Sequence, residues 1–273
     1  MAALAEGFQL ARIELARRQE AERREVFEAL LAGGARAAAV LGRAADLGLD
    51  LASPHAVLVA ASPEGLRGSP TPLLGRIERA LAGRYGDTAP LLSVHNNAVV
   101  CVFAAPDGTA VGLVGDRVAQ VLGPSWRAAV GRPLAGAQSV RVSYEQARDM
   151  LDVAARLRLD APVVDSTELA VYRVLLRDTE AIGELIDTLL GPLAAARGGA
   201  GALLDTLAAY YATGGNATET ARRLHLSVRA VTYRLQRVEH LLGRDPTEPA
   251  SRFALHAAVL GARLLGWPDT PLR

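Results

Sequence analysis

The sequence predicts an α+β protein: an N-terminal helix, an α/β sandwich domain and an all-helical C-terminal domain. Three observations carry that prediction. Residues 4–31 have apolar side chains at helical spacing, interleaved with opposite charges four apart. Between residues 52 and 165 short apolar and β-branched runs alternate with helical stretches around one hairpin, the pattern of a sheet covered by helices. The last seventy residues have no strand signal at all.

The first helix has an apolar seam of Leu4, Phe8, Ala11 and Leu15, then a charged stretch from Arg17 to Glu25. Glu14–Arg18, Arg18–Glu22 and Glu20–Arg24 are i,i+4 pairs that support an exposed helix. Val26, Phe27, Leu30 and Leu31 restore an apolar end before Gly33-Gly34 stops it. Two readings stay open for this segment, a dimerising stalk and a surface helix folded onto the next domain. A short helical stretch at 35–50 ends at Ser53-Pro54.

The periodicity then changes. His55–Ala61, Leu91–Val94 and Ala98–Ala104 read as strands, and His95-Asn96-Asn97 supplies the turn between the last two. Pro72–Tyr85 and Thr109–Leu122 read as helices, with Pro106-Asp107-Gly108 as a turn. Ala128–Arg132 reads as a strand, and Ser143-Tyr144-Glu145-Gln146 as a near capping box opening a helix to about Arg158. Val163-Val164 is a short strand, and Asp165 caps a helix to Leu176, with Glu168 at the capping-box position. The predicted organisation is a linker or dimerisation helix (1–34), an α/β sandwich domain with its leading helical stretch (35–165), a helical connector and hinge (166–200) and a helical domain (201–273). The hinge is Arg197-Gly198-Gly199-Ala200-Gly201.

Composition narrows the function classes. All 30 basic residues are arginine, and the net charge is +1, so any nucleic-acid surface must be local. Cys101, the single cysteine, sits in the apolar run Val99–Phe103, so it reads as core and no internal disulfide can form. No signal peptide or membrane-spanning stretch is evident, and the expected location is cytoplasmic. His55, His95, His225, His240 and His256 lack metal-ligand spacing. Gly112-Leu113-Val114-Gly115-Asp116 lacks the P-loop lysine and the dinucleotide pattern, and Asp46 and Asp50 read as helix-end residues. No metal, cofactor or catalytic residue is expected.

The last domain carries the chemistry. After Gly214-Gly215, Asn216-Ala217-Thr218-Glu219 is an N-cap signal for a short helix to Leu224. His225-Leu226-Ser227 breaks it, and Ser227 caps the next helix, Val228–Leu242. Two helices joined by a three-residue turn form a helix-turn-helix, expected from about Asn216 to Leu241. Ala221 supplies the small residue at the crossing, Leu226 the apolar plug and Val231 the inward branched side chain ten residues on. On a helical wheel Val228, Val231, Leu235, Val238 and Leu242 face inward. Arg229, Tyr233, Gln236, Arg237 and His240 face outward, with Thr232 and Arg234 on the flanks. Asn216–Arg244 contains six arginines and two glutamates, a local excess of +4. The candidate DNA-binding set is therefore Arg222, Arg223, Ser227, Arg229, Thr232, Tyr233, Arg234, Gln236 and Arg237. Within it Arg229, Thr232 and Tyr233 are placed for bases, and Arg222, Arg223, Arg234 and Arg237 for phosphates.

The stretch Leu203–Leu265 also resembles a known family. Its most specific run is Val231-x-Tyr233-Arg234-Leu235-x-Arg237-Val238-Glu239, preceded by Thr220-Ala221-Arg222-Arg223-Leu224. It is similar to the C-terminal domain of PucR/CdaR-type bacterial transcriptional regulators. Ser227-Val228-Arg229-Ala230 stands where members often carry His-Arg-Asn-Thr, so a different base preference is expected. The resemblance implies that residues 52–165 are similar to a degenerate GGDEF (diguanylate cyclase-like) domain. In the family a helix precedes this domain and an upstream sensor is frequent; here Met1 opens directly on the helix. An active cyclase needs hairpin carboxylates to hold Mg²⁺ on nucleotide phosphates, and Ser93-Val94-His95-Asn96-Asn97 has none. The expected function is a non-enzymatic regulator that binds double-stranded DNA as a homodimer, with an unidentified small-molecule effector. The alternative is a small-molecule or nucleotide sensor centred on the GGDEF-like domain.

Overall fold

The computed structural model describes residues 2–83, 90–157, 163–165, 172, 175 and 177–272. It is a mixed α+β structure in two compact units, Met1–Ala154 with Asp160–Leu169, and Ala170–Arg273 with Ala155–Leu159. The helix expected from Asp165 to Leu176 falls largely outside the described residues, as does Tyr85.

The first unit opens with α1 (Ala2–Ala32), which ends at Gly33 and Gly34, both at positive φ. The expected single helix at 35–50 is two short ones, α2 (Gly34–Ala39) and α3 (Leu41–Asp46), separated at Val40. Strand β1 (His55–Ala61), helix α4 (Thr71–Leu81), strands β2 (Leu91–His95) and β3 (Ala98–Ala104), helix α5 (Gly108–Leu122), strand β4 (Arg127–Val130), helix α6 (Ser139–Leu157) and strand β5 (Val163–Asp165) follow. The sheet runs β2-β3-β1-β4-β5, antiparallel except for the parallel β4–β5 pair.

Strand alternation sends the side chains of β1 and β3 to two faces, both buried. Ala56, Leu58, Val99, Cys101 and Phe103 pack with Ile77 and Leu81 of α4 and with Val111, Val114 and Val118 of α5. Val57, Val59, Val100 and Val102 point the other way and are equally buried. On that side Phe27 from α1 and Tyr144 from α6 both pack near the His95 ring, the tyrosine edge-on. The turn Asn96-Asn97 has φ of 49° and 63°, a two-residue loop whose left-handed backbone matches strand twist. Asp107 caps α5, its carboxylate accepting from the N–H groups of Thr109 and Ala110.

One expected cap is corrected. Ser143 does not open α6, which begins four residues earlier at Ser139. Ser143 is fully buried, and its hydroxyl accepts the Val57 N–H at 2.9 Å. The pattern that looks like a capping box satisfies a backbone donor of the sheet instead.

The second unit is all helical: α7 (Thr179–Leu190), a 3₁₀ turn (Gly191–Ala195), α8 (Gly201–Ala212), α9 (Ala217–Arg223), α10 (Val228–Leu242) and α11 (Pro249–Leu265). Ile182, Ile186 and Leu190 of α7 share one core with Leu203 and Leu207 of α8 and Leu255 and Val259 of α11. Gly261 permits that packing, because an added methyl there would fall 2.6 Å from the Ile182 side chain. The stretch expected as a connector thus supplies a core helix of this unit. Among the described residues no helix is long and apolar enough to cross a membrane.

Candidate nucleic-acid interface

Helices α8, α9 and α10 form the site, and each boundary has a local cause. Gly214 and Gly215, both at positive φ, end the turn after α8. Asn216 then caps α9, its Oδ1 accepting from Thr218 N at 3.0 Å and Glu219 N at 3.1 Å. Thr220 is buried; its hydroxyl bonds the Asn216 carbonyl at 2.7 Å and meets the Thr213 hydroxyl at 2.8 Å. These bonds join the start of α9 to the end of α8.

The turn is a Schellman motif. His225 takes φ of +53°, its N–H reaches Arg222 O, and Leu226 N–H reaches Ala221 O at 2.9 Å. Leu226 thereby lies over Ala221 and packs on the core, the plug the sequence predicts. Ser227 caps α10, its Oγ accepting from Ala230 N at 3.1 Å. Val231, Leu235 and Val238 are buried, with Ala221 and Tyr210 in the same cluster. Gly243, at φ +62°, closes the helix.

The candidate side chains separate into two groups. Arg222, Arg223, Ser227, Arg229, Thr232, Tyr233 and Gln236 are exposed, Tyr233 at 64%. Arg229 makes no intramolecular ion pair or hydrogen bond among the described residues. Arg222 bonds Glu219 one turn earlier, which holds its guanidinium further above its ordinary range. Arg234 and Arg237, by contrast, are half-buried and turn towards their own unit. Arg234 donates to the Thr206 hydroxyl at 3.2 Å, and Arg237 to the Arg197 carbonyl at 2.8 Å. Each keeps further N–H groups for a second acceptor. The Arg237 bond anchors the glycine-rich loop that the sequence reads as a hinge.

Val228 departs from the helical wheel. It is 43% exposed, although the wheel groups it with the buried stripe. It lies at the edge of that arc and is the first residue of α10, so the core centred on Val231, Leu235 and Val238 does not reach it. The signal was its position beside the Ser227 cap rather than its apolar character.

The central hairpin of the first unit offers different chemistry. His95 Nδ1 lies 3.2 Å from Glu28 Oε1 of α1, and the two turn residues are amides. The described residues contain no cluster of three metal-ligating groups. Cys101 is wholly buried, and desolvation pushes its thiol far above the ordinary range.

A capped helix-turn-helix with a solvent-facing arginine surface, in a chain that also carries a five-stranded α+β unit, defines a two-unit regulator architecture. Residues 203–260 match the PucR C-terminal helix-turn-helix domain, and residues 32–153 match the GGDEF-like domain. The chain belongs to the PucR/CdaR-type family of transcriptional regulators. It is 32% identical over 237 residues to uncharacterized proteins of Mycobacterium tuberculosis and Mycobacterium bovis, covering 82% of this chain and 54% of theirs. The chain thus spans about half the length of those relatives. An uncharacterized protein in the pkwA 5′ region of Thermomonospora curvata is 32% identical over 134 residues, 49% of this chain and 72% of that one. Among solved structures, a regulator of polyketide synthase expression from Bifidobacterium adolescentis aligns with TM-score 0.44 and 18% identity, over 90% of this chain and 94% of that one.

Proposed function

We propose that the chain is a sequence-specific transcriptional regulator that binds operator DNA as a homodimer through α9 and α10. The observation that carries this is the exposed face of α10: Arg229, Thr232, Tyr233 and Gln236 project outward while Val231, Leu235 and Val238 hold the helix from behind. Six arginines against two glutamates between Asn216 and Arg244 supply the phosphate attraction that the whole-chain charge of +1 does not. One such module covers little DNA, so two copies on a palindrome, with half-sites about 34 Å or a multiple apart, provide the affinity. A gel shift of the full chain with the DNA upstream of its own operon tests the reading. Retarded, salt-sensitive and sequence-dependent complexes are expected; absence of any complex at low salt overturns it.

A second role, small-molecule sensing by the GGDEF-like unit, is favoured by one cavity. It has a volume of 590 Å³, within the range of ligand sites, and is lined by Glu28, Arg36, His95 and Tyr144 from α1, α2, β2 and α6. No turnover accompanies this role, because the hairpin turn brings no carboxylate to a nucleotide-bound metal. GTP incubated with the full chain and Mg²⁺ or Mn²⁺ is expected to stay intact, and its conversion overturns the non-enzymatic reading.

A further inference from the structure

The first turns of α10 expose a short strip of methyl groups among polar and charged residues. Val228 contributes one end, as the 43% exposed residue beside the cap. Thr232 contributes the other. It is exposed, and its hydroxyl donates back to the Val228 carbonyl at 3.1 Å. With the hydroxyl proton committed to the helix, the γ-methyl is the group Thr232 offers outward. Residues four apart lie one above the other on a helix face, so the two branched side chains form one apolar edge. The Ser227 hydroxyl accepts the Ala230 N–H as the helix cap, and Arg229 supplies the charged donor of this turn.

An apolar edge on a helix turn that also exposes Arg229, within a segment carrying a local excess of arginine, suits a surface that is anionic overall and apolar at one kind of point. The major groove is such a surface, and the 5-methyl of thymine is the apolar feature on its base edges. We infer that Val228 and Thr232 together read thymine methyl groups, making thymine a specificity determinant in each half-site. The inference rests on the DNA-binding reading above and assigns a base-reading role to a residue whose sequence pattern places it in the core.

The test begins with sites selected from random DNA by the full chain. Each thymine is then replaced in turn by deoxyuridine, which removes only the methyl, and binding is measured by fluorescence anisotropy at fixed salt. One or two thymines per half-site are expected to show a loss of about fourfold, the effect of one buried methyl-sized group. Val228→Ala and Thr232→Ser are expected to weaken binding to unmodified DNA by a similar factor and to abolish the deoxyuridine penalty at the same positions. Both side chains are exposed, so the melting temperature should stay at the wild-type value and certify the fold. A deoxyuridine penalty undiminished in both variants, or no thymine with a penalty, overturns the inference while DNA binding stands. Failure of the unmodified protein to bind any DNA at low salt overturns the DNA-binding reading itself, and this inference with it.

Discussion

The Ser143 hydroxyl accepts the N–H of Val57 at 2.9 Å, fastening α6 to the central strand of the sheet. The strand β1 lies between β3 and β4, and Ser143 is fully buried. Removing the hydroxyl leaves a buried donor without its acceptor, which costs about 1–3 kcal/mol. Ser143→Ala is therefore expected to lower stability by that amount in urea unfolding, with the denaturant slope unchanged. Gly131→Ala should cost more, because an added methyl would collide with the Ser143 backbone carbonyl rather than with a movable side chain.

Cys101 gives the same sheet a pH signature. Burial holds the thiol neutral in the folded chain, whereas an unfolded thiol ionises near about 8.5. A raised folded value means that its stabilisation is complete below the unfolded value and is lost as pH rises beyond it. Stability should fall by up to about 1.4 kcal/mol per pH unit above about pH 9, and Cys101→Ala should remove that part of the slope. Tyr211, buried in the helical unit, has a phenol pushed up for the same reason and adds its own loss above about pH 10. Thermal melts between pH 8 and 11 check the sign: stability rising over that interval in the parent chain contradicts it.

His225 holds a left-handed backbone conformation between α9 and α10. Such a conformation costs a side-chain-bearing residue about 1–2 kcal/mol, and glycine adopts it freely, offset by the extra freedom glycine has when unfolded. His225→Gly should stabilise the helical unit by about 0.5–1 kcal/mol net and raise its melting temperature by a few degrees. His225→Val, branched at Cβ, should lower it. Equal melting temperatures for the three proteins would show that the turn is not under this strain.

The fold is legible where a local pattern and its packing agree. His55–Ala61 and Ala98–Ala104 read as strands with the same bounds the structure has, because apolar runs between turn residues need no tertiary information. The caps Asn216 and Ser227 are legible for the same reason, since each bonds N–H groups two or three residues ahead. What stays hidden depends on partners distant in sequence. Ser143 resembles a cap until the Val57 N–H, 86 residues away, is in place. Val228 fits an inward stripe until the reach of the core is known. Arg234 and Arg237 look like free cations because Thr206 and Arg197 are 28 and 40 positions off.

Those arginine contacts separate the expected effects of three substitutions on DNA binding. Arg229 and Tyr233 face outward from the first turns of α10 and make no hydrogen bond or ion pair among the described residues. Arg229→Ala and Tyr233→Ala should leave the melting temperature unchanged and reduce the preference for the selected site, a base contact being worth about 1–3 kcal/mol of discrimination. Arg237→Ala combines two losses. As a phosphate contact it should weaken binding to all sequences alike and reduce the salt slope by about 1. As the donor to the Arg197 carbonyl it should also lower stability by about 1 kcal/mol and loosen the glycine-rich loop. Binding isotherms over a salt series, paired with melting curves, resolve the two. A lowered melting temperature with an unchanged salt slope assigns Arg237 to the loop alone, whereas unchanged binding in all three variants removes this face of α10 from the interface.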